Sequence, residues 1–314
     1  MPTEGPPRFS VVVPLLDEAA TLGELIRRLR AVMEAQEGGF ELVLVDDGST
    51  DGSEAILREH ERADPRIRVF QFTRNFGQAA AIACGLFAAR GDVVITLDGD
   101  LQNPPEEIPR LLEAIEKGAD VVTARRRQRY EGTWRWLGSR AIHRLARQLL
   151  GVSIEDIGGQ FKAYRREVVD AVRTAWGPGK PVFPLALWLG FPVVEVAVEH
   201  DRRRVGHSRY TLRSLLRINV DLITSFSTLP LAALSLLGAL CFAAGVLGLL
   251  ACLLFGSRSG LASAASLTGI GMGGSLLAAG VLGQYLARVY RNVAGDWPGY
   301  VIRRGPRGGA GGPR

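Results

Sequence analysis

Two long runs without a charged side chain, close to the C-terminal end of the sequence, limit what this chain can fold into. Residues 229–255 and 261–286 contain no Asp, Glu, Lys or Arg. A helix of about 25 residues is roughly 38 Å long, which exceeds the roughly 30 Å hydrocarbon core of a bilayer. We therefore predict transmembrane helices at 228–255 and 261–287, because buried core helices of a water-soluble domain are rarely this long.

The loop between the two runs and the distribution of arginines predict the topology. GSRSG, residues 256–260, is long enough only for a tight hairpin, so both outer ends of the helices face the same side. Arg258 is the one basic residue in that loop, whereas arginines are abundant before the first run and after the second. The positive-inside rule then places the N-terminal domain and both termini in the cytoplasm.

The flanking segments complete this domain plan. Residues 1–8 are polar and proline-rich, so we expect a disordered N-terminus without a cleavable signal peptide, and residues 288–314 form a basic tail. The glycines of GIGMGG, 269–274, lie inside an apolar run, where Gly269 and Gly273 predict close helix packing rather than a dinucleotide site.

A basic amphipathic helix is predicted immediately before the first apolar run, at residues 211–226. One face carries Leu212, Leu215, Leu216, Leu222, Ile223 and Phe226, and the opposite face carries Arg213, Arg217 and Asp221. Such a helix suits the headgroup layer of a membrane. Residues 133–150 show a similar pattern, for which a membrane-surface helix and an ordinary surface helix both stay open.

The region from residue 9 to 210 has the alternating pattern of an α/β domain. Short apolar runs such as FSVVVPL, FELVLVDD, IRVFQFT, DVVITLD and ADVVTA alternate with candidate helices at 21–36, 53–62, 76–90 and 105–117. Strand and helix in repetition predict a mostly parallel sheet with helices on both faces.

Acidic residues end three of the predicted strands. Asp98 and Asp100 follow the strand at 93–97 with one glycine between them, Asp46 and Asp47 end the second strand, and Glu18 follows the first. Strand ends of a parallel sheet converge on one crevice, and adjacent carboxylates favour a divalent cation between them. A solvated Asp-Gly turn is the alternative for the aspartate pair taken alone. Arginines at 125–127, 129, 135 and 202–209 would oppose these acids and favour a phosphorylated substrate.

Composition excludes other classes of protein. The net charge of +6 and the pI near 9.6 favour an acidic partner, but no stacking platform or known module indicates nucleic acid. The three cysteines have no paired spacing, which argues against disulfides and zinc.

The motifs SVVVPLLDE, VDDGSTD, RNFGQ, DGDLQNPPEEIP and RVGHSRY together resemble glycosyltransferase family 2, and within it the polyprenyl-phosphate glycosyltransferases. The likeness runs from about residue 9 to 303 and includes GQYLARVYRNV after the second apolar run. It implies a GT-A type, Rossmann-like nucleotide-diphospho-sugar transferase domain. It also implies transfer of a sugar, UDP-linked, to undecaprenyl phosphate at a bacterial cytoplasmic membrane, making a lipid-linked donor for cell-envelope glycan or lipopolysaccharide modification.

The resemblance also implies roles for individual residues. Donor contacts fall on Pro14, Leu16, Glu18, Val45, Asp47, Asp98, Gly99, Asp100, Arg126, Arg203 and Arg209. Asp98, Asp100 and Gln102 would hold Mg²⁺ or Mn²⁺, and Arg135, Ser139 and Arg203 would bind the acceptor phosphate. Asp98, Asp100 and Asp156 would be catalytic, with Asp156 as a base or as an orienting group.

Several positions depart from the family pattern. DGD replaces the usual DAD, which should keep the metal but loosen the backbone; Leu16 replaces a tyrosine, Asp17 an asparagine and Arg209 a lysine. GGQFK after Asp156 replaces GDFRL, so the sugar is not specified. The resemblance implies an oligomer of identical chains, of which a tetramer is one candidate. Two alternatives stay open: a processive polysaccharide synthase, disfavoured by the lack of QxxRW, and an inactive membrane adaptor.

Overall fold

The computed structural model describes residues 5–126, 159–177, 181–199, 229–255, 260–293 and 299–306. Two compact units divide the chain: Met1–Tyr210 together with Trp297–Arg314, and Thr211–Asp296. The predicted helical segments at 211–226 and 133–150 lie outside the described residues.

The first unit is an α/β domain, which confirms the predicted fold class. Its strands in the described residues are β1 Phe9–Leu15, β2 Phe40–Asp46, β3 Ile67–Phe72, β4 Val93–Thr96, β5 Val121–Arg126, β6 Lys162–Arg165, β7 Val193–Val198 and β8 Ile302–Arg304. Its helices there are α1 Ala19–Glu34, α2 Ser53–Ala63, α3 Gln78–Ala88, α4 Ile108–Glu116, α5 Arg166–Ala175 and α6 Val182–Trp188, with a 3₁₀ turn at Pro105–Glu107.

Within the described residues these strands form one sheet in the order β7-β5-β6-β4-β1-β2-β3-β8. The pairs β1–β2, β1–β4, β2–β3 and β5–β7 are parallel, as predicted. The strands β6 and β8 run antiparallel to their neighbours and are not anticipated by the sequence pattern. Since β2 and β4 lie on opposite sides of β1, the chain reverses its direction of winding there, which is where open α/β sheets bind ligands.

Burial explains why these segments form their elements. All seven residues of β1 and all seven of β2 are buried, as expected for central strands covered on both faces. Helix α1 buries one face, including Leu22, Leu25 and Leu29, whereas α3 is almost wholly apolar. Gly85 lets α3 approach the sheet closely, because a Cβ atom there would overlap the side chain of Val12 on β1.

The segment predicted as a basic tail contributes to the sheet. Strand β8 pairs antiparallel with β3, with Gln71 opposite Arg304 and Phe72 opposite Ile302. The Thr73 N–H also donates a hydrogen bond to the carbonyl of Val301 (3.1 Å). Residues that follow the second apolar helix in the chain therefore belong to the α/β domain.

The second unit contains the helices α7 Leu229–Leu254 and α8 Gly260–Val293. A Cβ atom on Gly273 would lie 2.7 Å from the Phe242 Cα atom, and one on Gly269 would lie 3.4 Å from the Gly245 Cα atom. Glycine therefore permits the close backbone approach, which confirms the predicted packing.

Both helices expose apolar surface that a water-soluble protein would bury. Residues Leu231–Leu254 and Gly260–Leu286 have mean hydropathies of 2.5 and 1.5, yet only 11% of each apolar window is buried. A core helix of a soluble domain would be mostly buried, so these exposed leucines and phenylalanines suit a lipid environment.

Candidate active site

The carboxyl ends of β1 and β2 bring four of the predicted donor-binding residues together. Pro14 lies opposite Val45 in the parallel register. The Asp47 N–H then donates to the carbonyl of Leu15 (2.9 Å), which extends the pairing beyond the strand. Leu16 follows on the rim and is half-buried.

The carboxyl end of β4 packs against the end of β1 through Gly99. A Cβ atom on Gly99 would lie 2.5 Å from Leu15 Cδ2, 3.5 Å from the Pro14 carbonyl oxygen and 3.7 Å from Glu18 Cγ. The Thr21 hydroxyl lies 3.3 Å from the Gly99 carbonyl oxygen and 3.2 Å from Glu18 Oε2. A Cβ atom here would therefore require the end of the Leu15 side chain to shift, and the Thr21 hydroxyl ties the Gly99 carbonyl to α1.

The two aspartates of this turn have defined partners. The Gln78 side-chain amide donates to Asp98 Oδ1 (2.7 Å). Gln102 donates twice to Asp100, from its backbone N–H to Oδ1 (3.1 Å) and from its side-chain amide to Oδ2 (2.5 Å). Between them Leu101 adopts a left-handed backbone with φ of 60°, a conformation that is costly for a leucine and recurs at functional sites.

Asp47 holds the loop that follows β3. Its Oδ1 accepts the Phe76 N–H (2.7 Å) and its Oδ2 accepts the Gly77 N–H (2.9 Å). Burial raises the pKa of Asp47 above its usual value, and the two backbone hydrogen bonds oppose that rise. Asp47 is predicted to contact the nucleotide sugar, and its two carboxylate oxygens also hold the loop at residues 73–78 in position.

Asp46 is fixed in the same region by other groups. Its Oδ1 accepts the Ser49 N–H (2.8 Å), and its Oδ2 accepts the side-chain amide of Gln71 on β3 (3.3 Å). The carboxylate is fully buried. Asp46 therefore holds the end of β2 against β3 rather than facing a ligand.

The loops after β1 and β2 are joined by a second set of contacts. The Asp17 N–H donates to Ser49 Oγ (2.9 Å), and the Thr50 N–H donates to Asp17 Oδ1 (2.9 Å). Asp17 has φ of 53°, a left-handed conformation that Asp and Asn tolerate better than most residues. The aspartate that replaces the family's asparagine keeps this backbone shape.

Gln78 contacts a predicted metal ligand, although the sequence analysis assigned it no role. It belongs to the RNFGQ motif, but the motif alone gives no role for its side chain. Its hydrogen bond to Asp98 links the first turn of α3 to the end of β4. A polar residue at the start of an otherwise apolar helix was the available signal.

The predicted basic side of the site is described only in part. Arg126 is the last residue of β5, whose carboxyl end lies at the same edge of the sheet as that of β4. Arg125 precedes it on β5 and is exposed, whereas the predicted site residues Arg135, Ser139, Asp156, Arg203 and Arg209 lie outside the described residues. Their roles stay predictions.

The protein ligands at the end of β4 fit a metal ion that also binds the substrate, rather than a metal ion enclosed by protein ligands alone. No group of three or more His, Cys, Asp or Glu side chains in the described part of the chain is arranged to hold a metal. Asp98, Asp100 and Gln102 supply hard oxygen ligands only. Mg²⁺ and Mn²⁺ accept such ligands and are commonly held by one or two carboxylates together with substrate phosphates.

Comparison with known sequences places this chain among sugar transferases. Residues 10–173 match the family described as Glycosyl transferase family 2. An undecaprenyl-phosphate 4-deoxy-4-formamido-L-arabinose transferase of Pseudomonas syringae is 42% identical over 297 residues, covering 90% of this chain and 87% of that protein. A protein of the same name from Edwardsiella ictaluri is 38% identical and covers 94% and 93%.

Solved structures show the same fold for the α/β domain. Glucosyl-3-phosphoglycerate synthase from Mycobacterium tuberculosis, in complex with Mn²⁺, UDP and phosphoglyceric acid, aligns with a TM-score of 0.51. The alignment covers 70% of this chain and 77% of that one at 22% sequence identity. At this identity the likeness establishes the fold.

Proposed function

This chain belongs to glycosyltransferase family 2, and we propose that it transfers a sugar from a nucleotide-diphosphate sugar to a polyprenyl phosphate. UDP is the proposed nucleotide and undecaprenyl phosphate the proposed acceptor. Relatives at 36–42% identity over most of the chain are named as undecaprenyl-phosphate transferases, which supports this acceptor. The product would be a lipid-linked sugar for modifying cell-envelope glycans or lipopolysaccharide.

The combination of an α/β domain and two apolar helices in one chain supports a lipid acceptor, which membership of the family alone does not specify. A domain whose acidic strand ends meet at a switch point is followed in the same chain by two exposed apolar helices. A polyprenyl phosphate carries its phosphate at the surface of a bilayer and its tail inside it. An enzyme for that acceptor needs both parts, whereas a transferase with a soluble acceptor needs only the first.

The proposed catalysis depends on holding the two substrates in position and on offsetting the charge of the leaving group. A divalent cation held by Asp98, Asp100 and Gln102 would offset the negative charge of the departing nucleotide diphosphate. Gln78 fixes one oxygen of Asp98, and Asp47 holds the neighbouring loop at residues 73–78. The acceptor phosphate is already anionic near neutral pH, so it needs orientation more than a strong base. Asp156, Arg135, Ser139, Arg203 and Arg209 are the proposed groups for that task.

We further propose a membrane protein with its catalytic domain and both termini in the cytoplasm. The chain enters the apolar unit from the α/β domain and returns to it, since Trp297–Arg314 belongs to the same compact unit as Met1–Tyr210. This return supports a hairpin with both outer ends on one side. A reporter fused after Arg314 should be active in the cytoplasm, and activity confined to the periplasm would contradict this topology.

A transfer assay tests the function. Purified enzyme in detergent should move a labelled sugar from one member of a panel of UDP- and GDP-sugars to undecaprenyl phosphate, forming a lipid-extractable product. EDTA should stop the reaction, and Mg²⁺ or Mn²⁺ should restore it. A processive synthase would instead give a polymer, and an inactive adaptor would give no product at all with any donor.

Matched aspartate variants locate the chemistry. Asp98→Ala and Asp100→Ala should abolish transfer while the protein still inserts and folds. Asp92→Ala is the control, because Asp92 is exposed and precedes β4 at the opposite edge of the sheet. Full activity of either site variant would rule out the proposed metal ligands.

A further inference from the structure

We propose that residues 299–306 position the nucleotide end of the site, with Tyr300 as the positioning residue. This inference rests on the proposed function for its kinetic consequence. Its structural part concerns the α/β domain alone and is measurable without any substrate. None of the family motifs named above includes these residues.

Tyr300 is anchored by contacts on several sides. It is 4% exposed, and its ring stacks on that of Phe72 with 5.0 Å between centroids and an interplanar angle of 15°. The Trp176 ring lies 6.3 Å away, and the Tyr300 side chain neighbours the thiol of Cys84 on α3. A buried aromatic side chain stacked on a ring of the core anchors the segment that carries it.

The anchored segment is connected directly to the loop that Asp47 holds. Phe72 is the last residue of β3, and the next residue, Thr73, donates its N–H to the Val301 carbonyl (3.1 Å). The Phe72 ring meets the Phe76 ring edge to face at 5.7 Å. Val301 therefore contacts the start of loop 73–78 directly through Thr73, and Tyr300 reaches Phe76 in the same loop through the Phe72 ring between them.

The far end of the same loop carries the contacts to the proposed donor and metal residues. The Phe76 and Gly77 N–H groups bind Asp47, and the Gln78 side chain binds Asp98. Residues 73–75 between these contacts are exposed and do not pack into the hydrophobic core. An exposed loop of this kind keeps its shape only through its attachments, and β8 with Tyr300 provides one of them.

Loss of the Tyr300 ring should therefore loosen the loop before it affects the rest of the domain. In Tyr300→Ala, Phe72 loses its stacking partner and β8 loses its anchor. The amides of residues 76 and 77 should then exchange with deuterium about tenfold faster. The KM for the nucleotide sugar should rise about tenfold, whereas the KM for the lipid acceptor and kcat should stay within about twofold.

Two matched variants separate positioning from general stability. Tyr300→Phe keeps the stacked ring and loses only the hydroxyl, so it should retain loop protection and the donor KM. Phe40→Ala removes a comparably buried aromatic residue, 6% exposed, from the start of β2 at the opposite edge of the sheet. It should lower the melting temperature without changing exchange at residues 76 and 77. Tyr300→Leu fills the space without a stacked ring and replaces Tyr300→Ala if that variant does not fold.

The experiment uses the full chain in detergent, with hydrogen exchange followed by mass spectrometry and with donor kinetics. Fast exchange and a raised donor KM in Tyr300→Ala, both restored in Tyr300→Phe, would support the proposal. Unchanged exchange, equal loosening by Phe40→Ala, or fast exchange with an unchanged donor KM would each overturn it. If the wild-type protein transferred no sugar to undecaprenyl phosphate, the proposed function would fail. Exchange and titration with UDP or GDP in the presence of Mn²⁺ would then still decide the role of Tyr300.

Discussion

Gly48 should tolerate no side chain, and the structure gives two separate reasons. Its φ of +79° lies in the left-handed region, and a Cβ atom there would lie 2.7 Å from the Arg74 carbonyl carbon and 2.8 Å from the Asn75 nitrogen. The first reason is a local conformational cost. The second is a collision with the backbone of loop 73–78, which cannot move without disturbing the bonds to Asp47.

Gly52 provides a control that isolates the first reason. It lies four residues further along the same segment with φ of +93°, yet a Cβ atom there would meet nothing within 4 Å. A left-handed alanine costs about 1–2 kcal/mol, so this is the expected loss of stability for Gly52→Ala. In Gly48→Ala, displacement of the loop should also break at least one backbone hydrogen bond to the Asp47 carboxylate. Such a bond contributes about 1.5–3 kcal/mol, so the total should reach about 3–5 kcal/mol.

Thermal unfolding and donor kinetics of the full chain in detergent measure the difference. For a domain of about 200 residues, each kcal/mol shifts the melting temperature by about 2–4 °C. Gly52→Ala should therefore melt about 2–8 °C lower and Gly48→Ala about 6–20 °C lower. Gly48→Ala should also raise the KM for the nucleotide sugar, which Gly52→Ala should leave unchanged. Equal melting temperatures and equal KM values in the two variants would refute the reasoning.

Three further predictions concern the helices, the buried thiol and the basic loop. Gly273→Val should weaken the α7–α8 packing and lower the detergent stability of the hairpin, whereas Gly271→Val, with nothing within 4 Å of its Cβ position, should not; equal effects would exclude specific packing. Burial raises the pKa of Cys84 to about 12, so N-ethylmaleimide should label it slowly at pH 8 and faster as the pH rises; rapid labelling by peptide mass spectrometry at pH 8 would contradict this. Arg203→Ala and Arg209→Ala should each reduce turnover about 10²-fold in detergent if a phosphate contact of about 3 kcal/mol is lost. Normal turnover would instead indicate that residues 202–210, which lie outside the described residues, act as a basic linker attracted to anionic lipid.

Local patterns in the sequence account for the layout of the protein. Helices α7 and α8 can be predicted from the sequence because length and hydropathy are properties of consecutive residues. Strands β1 to β4 can be predicted for the same reason, and the acidic residues at their ends are found where each apolar run stops. The prediction that Gly273 lies at a helix contact needed only its position inside an apolar run.

Short or irregular segments were harder to predict. Strand β6 has four residues, KAYR, and β8 has three, so neither is long enough to show a two-residue alternation. Both pair antiparallel within an otherwise parallel sheet, which the repeating strand-helix pattern does not suggest. Their places depend on which strand edges the rest of the fold leaves available.

The contacts that shape the candidate site were decided by the tertiary structure. Asp47 binds an amide 29 residues away at Phe76, and Asp98 binds a side chain 20 residues away at Gln78. Gly48 is required because a loop from beyond β3 passes close to it, and Tyr300 reaches Phe72 from beyond the second apolar helix. The sequence by itself determined the elements and the types of chemical group at their ends, since those depend on neighbouring residues. The tertiary structure alone decided which of those groups bind one another, because that depends on how distant segments pack.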